Sequence, residues 1–325
     1  MIGALAKKKA ATEKAPKDQL RYGIGEWYGQ PFITMTPTQR RSYAELQAVD
    51  KKQRPAQPCP FRSVPGVDGI CTKPSGVCSL RLYRRASETG NVTVAPEHGM
   101  LRATCPNRFL EGRRIFPWIG EVLLGSPEPR VVAEVGFLES ERIEEGAAEG
   151  DDVGRIDHVL VHPNADPMRW CALEIQAVYF SGAGMGAEFH MLRHHEGDGL
   201  PFPSGHRRPD YRSSGPKRLM PQLQIKIPSL RRWGKKMAVV VDEGFFGALG
   251  KMDEVKHVSN CDIAWFVVRY NEAARNAVLE PAFVRLTTLE RAVEGLTDGY
   301  PVSLETFEER IKAKIPADPG GVDLA

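Results

Sequence analysis

Apolar and polar positions change their spacing several times along the chain, and each change predicts a different kind of element. Residues 1–20 are rich in lysine and alanine and carry no core-forming stripe, so a frayed arm is expected there. Between residues 57 and 110 the apolar runs are short and Gly, Pro, Ser and Arg are frequent, which predicts a loop-rich segment that a hydrophobic core alone does not hold together. From residue 130 short β-type runs take over, at 131–138, 156–161 and 171–180, separated by the acidic stretch 139–152 and the turn-forming HPNAD at 162–166. They predict an antiparallel meander. Two unbroken apolar runs, 237–241 and 263–268, read as buried strands, and helical spacing appears at 288–295 and 303–315 before a Pro/Gly tail. Residues 219–233 have an amphipathic helical pattern that Pro221 and Pro228 are expected to break.

Composition sets the class. With 325 residues, 42% hydrophobic and 26% charged, the chain is ordinary globular protein, enough for one large domain or two small ones. The longest aliphatic run, 237–241, is far short of the roughly 20 residues that cross a bilayer. The opening MIGALAKKKAATEK reaches lysines before an apolar export segment forms, so no membrane partner and a cytoplasmic location are expected. The net charge of +3 hides an uneven distribution: ten Lys or Arg face the single Asp210 between Arg207 and Lys236, while residues 139–152 hold seven acids and one Arg. The basic stretch suits a polyanionic partner, with Arg207, Arg208, Lys217, Arg218, Arg231, Arg232, Lys235 and Lys236 as the pool for phosphate contacts; the alternative is a solvated helix face.

Four of the six cysteines, Cys59, Cys71, Cys78 and Cys105, fall in the core-poor segment with spacing C-x11-C-x6-C-x26-C. In a reducing compartment four clustered thiols favour a tetrahedral thiolate metal site over two disulfides, although no C-x-x-C knuckle is present and unligated cysteines remain the alternative. Cys171 and Cys261 lie in apolar runs and read as free buried cysteines. GAGMG at 182–186 reads as a flexible turn with no helix behind it, and His190, His194 and His195 as surface histidines.

GRIDHVL at 154–160 and ALEIQAVY at 172–179 place Asp157 near the start of one strand and Glu174 and Gln176 on the next. Strand side chains alternate, so Glu174 and Gln176 share one face while Leu173, Ile175 and Ala177 occupy the other. If neighbouring strands bring Asp157 alongside, two carboxylates converge on a hard cation of the Mg²⁺ type. This is the D…E-x-K arrangement of PD-(D/E)XK nucleases with Gln in the Lys position; surface carboxylates on a half-exposed sheet are the other reading.

Taken together, CPF at 59–61, GVCSLR at 76–81 after Cys71, TCPNR at 104–108, ID at 156–157 and LEIQ at 173–176 resemble the NotI-type restriction endonucleases, over roughly residues 57–246. The resemblance implies an α/β (α+β) fold: a PD-(D/E)XK core with a mixed central sheet flanked by helices, and a small four-cysteine module. The implied division is an arm and lead-in at 1–56, the module at 57–110 and the nuclease domain at 111–325. It further implies type II cleavage of double-stranded DNA by a homodimer, restricting foreign DNA. Asp157, Glu174 and Gln176 would be catalytic with Glu134 as an additional acid, Mg²⁺ would sit on Asp157 and Glu174, and iron (or zinc) on Cys59, Cys71, Cys78 and Cys105. A shorter Asp157–Glu174 interval and a different gap between the third and fourth cysteines depart from the family pattern. The competing classes are a catalytically silent DNA-binding protein with a structural cysteine site, and a less specific nuclease of the same fold.

Overall fold

The computed structural model describes residues 18–64, 66–96, 100–139, 152–273, 276–298 and 302–315. The expected arm before residue 18, most of the acidic stretch (140–151) and the tail after 315 lie outside them. Thirteen strands are described: β1 Gln19–Trp27, β2 Gln30–Pro31, β3 Val77–Arg85, β4 Val92–Val94, β5 Arg102–Ala103, β6 Arg130–Glu139, β7 Asp152–Val161, β8 Trp170–Ile175, β9 Phe180–Gly182, β10 Arg207–Pro209, β11 Met237–Asp242, β12 Ile263–Asn271 and β13 Val278–Thr287. The α-helices are α1 Pro37–Ala48, α2 Ile115–Leu124, α3 Gly186–Arg193, α4 Tyr211–Ser214, α5 Met220–Arg232, α6 Glu243–Phe246, α7 Leu289–Thr297 and α8 Leu304–Lys312.

The central sheet has the order β13-β12-β11-β8-β7-β6. β11 runs parallel to β8 and to β12, whereas β6–β7, β7–β8 and β12–β13 are antiparallel. It is a mixed sheet flanked by helices, an α+β core of the nuclease type. The predicted meander is its β6–β7–β8 half, and the two apolar runs are its parallel pair. Those runs are unbroken because both faces are covered. Val239, Val241, Ile263 and Trp265 face Leu223, Ile227 and Leu230 of α5 and Leu296 of α7. Ala238, Val240, Ala264 and Phe266 face Ile115, Phe116 and Ile119 of α2.

Three expectations need correction. The lead-in is no loose segment: β1 is a central strand of a second sheet, β2-β1-β3-β4, in which β3 carries Cys78, so the boundary at residue 57 cuts through paired strands. Trp27, Phe32, Val77, Leu80, Tyr83 and Phe189 fill its core, and a capping box between Thr36 and Gln39 starts α1 beside it. The helix at 220–232 is continuous despite Pro228, because Pro228 is exposed while the stripe Leu223, Ile227, Leu230 is locked into the core. Behind GAGMG a helix does follow: α3 starts at Gly186, with Glu188 of its first turn buried against Arg207 at 2.9 Å.

One buried arginine ties these parts together. Arg108 has no exposed surface. Its Nε donates to Glu26 of β1 at 2.9–3.0 Å, one terminal nitrogen donates to Glu111 at 2.9 Å, and the other donates to the carbonyl of Ala277 at 2.8 Å. Its guanidinium also lies over Phe61 of the cysteine segment, at 4.5 Å from the ring centre, and over Tyr270 of β12 at 5.1 Å. Removing one side of a buried pair strands the other charge, which costs about 3–5 kcal/mol, whereas an exposed pair is worth about 1 kcal/mol or less. Arg108→Met is therefore expected to lower stability by about 3–5 kcal/mol in denaturant unfolding, and Arg231→Met, at an exposed pair with Asp262 and Glu290, by under about 1 kcal/mol. Equal, small losses would refute the assignment.

Candidate active site

β7 and β8 pair His158 with Leu173, so the next step along the antiparallel ladder sets Asp157 opposite Glu174. Residues directly opposite point to the same face, and the charge of Asp157 acts on Glu174. The predicted alternation holds: Leu173, Ile175 and Ala177 pack toward α2, and Glu174 points to the α5 side. Glu174 is 3% exposed, while Asp157 lies open to solvent. Burial first, and the charge of Asp157 second, raise the Glu174 carboxyl to about 7. A 2.6 Å ion pair with Lys226 opposes that shift without cancelling it.

In the sequence Lys226 is one of ten cations between Arg207 and Lys236. Its Nζ donates to Glu174 Oε2 at 2.6 Å and to Gln222 Oε1, one helical turn back, at 2.8 Å. It is 5% exposed. A signal for it was present: Leu223, Lys226, Ile227 and Leu230 are the i, i+3, i+4, i+7 stripe of α5, and a lysine inside a core-facing stripe is out of place unless paired.

The other predicted residues are placed differently. Gln176 follows the end of β8, and its backbone N–H extends the ladder to Val240. Its side-chain amide donates to the carbonyl of Ala177 at 2.6 Å and, among the described residues, makes no hydrogen bond to either carboxylate. Glu134 sits on β6, in the row of Asp157 between the Ala133–His158 and Val135–Ile156 pairs. Its φ of 52° is a strained value for a non-glycine residue, and its carboxylate faces Arg155 at 3.6 Å on the exposed surface. Among the described residues, no group of three or more His, Cys, Asp or Glu side chains meets with the spacing of a metal site. The acids thus form a pair, with Glu134 beside it.

All four cysteines of the module are free, Cys59, Cys78 and Cys105 buried and Cys71 half-buried. They are electrostatic neighbours: Cys71 feels Cys59 and Cys105, and Cys78 feels Cys105 and Cys71. They do not close on a single point. Burial raises the Cys71 and Cys78 thiols, so the thiolate form needs a compensating cation. Lys73 approaches Cys105, Cys78 and Cys71, with its ammonium donating to the Thr104 carbonyl at 2.6 Å and hydroxyl at 2.9 Å. Cys171 and Cys261 are free and buried, as expected. Between module and sheet lies a cleft of about 210 Å³ lined by Arg62, Arg113, Phe116, Ala133 and His158, so the module borders the strands that carry the acids.

The basic stretch offers fewer free cations than its sequence suggests. Arg207 is buried against Glu188, Arg231 pairs with Asp262 and Glu290, and Lys236 donates to the carbonyls of Ser259 and Cys261. Arg208, Lys217, Arg218 and Arg232 stay exposed. His190 and His194 are surface residues of α3 and its C-cap.

The mixed sheet thus brings two acids face to face on adjacent strands. The chain belongs to the restriction endonuclease NotI family, which it matches over residues 45–280, a span that contains the four cysteines, both acids and Lys226. That family makes it a restriction endonuclease, a nuclease of the hydrolase class with DNA as partner. No curated protein matches the chain. Among the described residues no helix is long and apolar enough to cross a membrane.

The raised Glu174 carboxyl has a thermodynamic consequence. Its ordinary value is 4.5 and its folded value about 7, so between these the native state binds the extra proton and stability falls as pH rises. With divalent cations chelated, the protein is expected to lose at most roughly 3 kcal/mol between about pH 4.5 and 7 from this group, and Glu174→Gln to flatten that part of the profile. Denaturant unfolding across this range checks it; an unchanged slope in the variant would assign the effect elsewhere.

Proposed function

We propose that the protein is a type II endonuclease that cleaves double-stranded DNA at specific sites by Mg²⁺-dependent hydrolysis, with a PD-(D/E)XK active site at Asp157 and Glu174. The observation that carries this reading is the apposition of an open and a buried carboxylate across β7 and β8. Their oxygen donors fit a hard divalent cation, which would offset the burial and the Asp157 charge that raise the Glu174 carboxyl. Mg²⁺ bound there supplies Lewis acidity and an acidified water. The chain's own part is positional. Asp157 and Glu174 present oxygens from rigid strands, Gln176 at the strand end orients water by hydrogen bonding, and the strained Glu134 is an additional acid at the rim. In the reaction a water oxygen forms a bond to phosphorus, one phosphorus–ester oxygen bond breaks, and the leaving oxygen takes up a proton. A homodimer, presenting two such sites, matches cleavage of both strands.

In the four-cysteine module we infer a bound iron or zinc ion. Four free sulfur donors suit either metal, and the resemblance to NotI-type enzymes favours iron. The module has little core of its own, Cys59, Phe61 and Cys78 with Cys71 against them, so metal binding there contributes to folding.

Glu174→Ala is expected to abolish cleavage of a mixed-sequence plasmid while DNA binding in Ca²⁺ stays within about threefold, since it removes a metal donor and no phosphate contact. Discrete fragments from the wild type would mark site specificity, and near-normal cleavage by the variant would overturn the assignment. For the module, elemental analysis of protein purified without chelators is expected to give one iron per chain, and Cys78→Ser to lose it. Zinc would reject only the iron preference; absence of any stoichiometric transition metal would reject the site.

A further inference from the structure

We propose that Lys226 is the cation of the active site, supplying from α5 the positive charge that neutral Gln176 cannot supply from β8. The inference rests on the reading of Asp157 and Glu174 as the nuclease site and adds a residue to it.

Geometry gives the first argument. Lys226 reaches across from the helix layer to the face of β8 that carries Glu174, 2.6 Å from Oε2. That contact uses one oxygen of the carboxylate and leaves Oε1, together with Asp157, for a divalent cation. An ammonium has three donors; Glu174 and Gln222 take two, and the third is left for a water or a phosphate oxygen. Gln222, at i−4 on the same helix, fixes the direction of the head group.

The second argument is one of necessity. A lysine in the core-facing stripe of α5 loses its hydration, and packing does not require it: Leu223, Ile227 and Leu230 already fill that layer. An uncharged residue of the same length would serve the core as well or better. The place does have an electrostatic requirement. Two carboxylates share it, the Gln176 amide is neutral and engaged with Ala177, and Arg155 on β7 is turned to Glu134 at the surface. Among the described residues, Lys226 is the cation that hydrogen-bonds to Glu174.

During hydrolysis negative charge grows on the oxygens around phosphorus as the water oxygen bonds and the ester oxygen departs. A fixed ammonium next to Glu174 stabilises that charge and holds Glu174 in its donor orientation. Lys226 keeps its proton throughout. The water proton passes to solvent, and the leaving oxygen is protonated from solvent.

The test uses the full chain in four forms, wild type, Lys226→Met, Lys226→Arg and Lys226→Met/Gln176→Lys, with cleavage rate in Mg²⁺, DNA affinity in Ca²⁺ and thermal unfolding measured on each. Lys226→Met is expected to lower kcat at least about a hundredfold, with KM and Ca²⁺-supported affinity within about threefold. Lys226→Arg keeps the charge and is expected to retain more activity than Lys226→Met. The double variant restores a lysine from the strand side and is expected to recover at least about tenfold over Lys226→Met. A purely structural role predicts the reverse pattern: lowered affinity, kcat of the folded protein retained, and no recovery from Gln176→Lys; a lowered unfolding midpoint is expected of Lys226→Met in either case, because it strands the buried Glu174. Cleavage by Lys226→Met within about threefold of wild type, while Glu174→Ala is dead, would overturn this proposal alone. A folded double variant with no recovery would also overturn it, even if Lys226→Met itself fails to fold. A wild type that cleaves no DNA would instead reject the endonuclease reading beneath it.

Discussion

Arg108 is the interaction on which the rest of the arrangement depends. A guanidinium with no exposed surface is tolerable only when every direction around it is answered, and here the answers come from different parts of the chain: Glu26 from the small sheet, Glu111 from the turn before α2, the Ala277 carbonyl from the lead into β13, and the rings of Phe61 and Tyr270. Glu111 in turn accepts the Leu279 N–H at 2.8 Å, and Arg81 of β3 pairs with Glu272 after β12. Arg108 lies three residues after Cys105, so the chain that closes the cysteine module is fastened directly to the sheet that carries the acids.

That fastening gives the module a physical relation to the acids. Phe61 and Arg62 form one wall of the cleft whose other wall includes Phe116, Ala133 and His158, on the α2 face of the strands whose other face carries Asp157 and Glu174. The acids hold an imbalance of charge, two carboxylates against Lys226, which hydrogen-bonds to Glu174. The thiols hold the opposite problem, since burial keeps Cys71 and Cys78 protonated until a cation arrives. Both places ask for positive charge, one through oxygen and one through sulfur, and this difference in donor type separates the metals each would select.

The sequence made much of the nuclease half legible, because its physics is local. β11 and β12 read as buried strands from unbroken Val, Ile and Phe, and the Glu174/Gln176 alternation followed from strand geometry alone. The helices at 289–297 and 304–312 overlap the stretches 288–295 and 303–315 whose spacing predicts them, and the structure caps them with Thr288 and Ser303. What escaped depended on partners far away in the chain. β1 looked like lead-in because its pairing residues lie some sixty positions later on β3. β13 is half-exposed along much of its length and carries Pro281 at a register shift, so its pattern was diluted. Pro228 suggested a break that core packing overrode. Lys226 was hidden by composition: among ten cations nothing marked it except its place in the apolar stripe, and that becomes meaningful only once Glu174 is seen across from it. Arg207 and Lys236 were misread for the same reason, as a count of charges does not show which are already paired.

The central claim is that Asp157 and Glu174 together hold the ion that acts on the scissile phosphate. A crystal structure of the protein with a double-stranded substrate and Ca²⁺, which binds without supporting cleavage, tests it most directly. An ion is expected at about 2.3–2.6 Å from an oxygen of each carboxylate, the distance range of calcium–oxygen ligation, and in contact with a phosphate oxygen of the DNA. An ion bound to the phosphate elsewhere on the surface, with Asp157 and Glu174 away from it, would contradict the account.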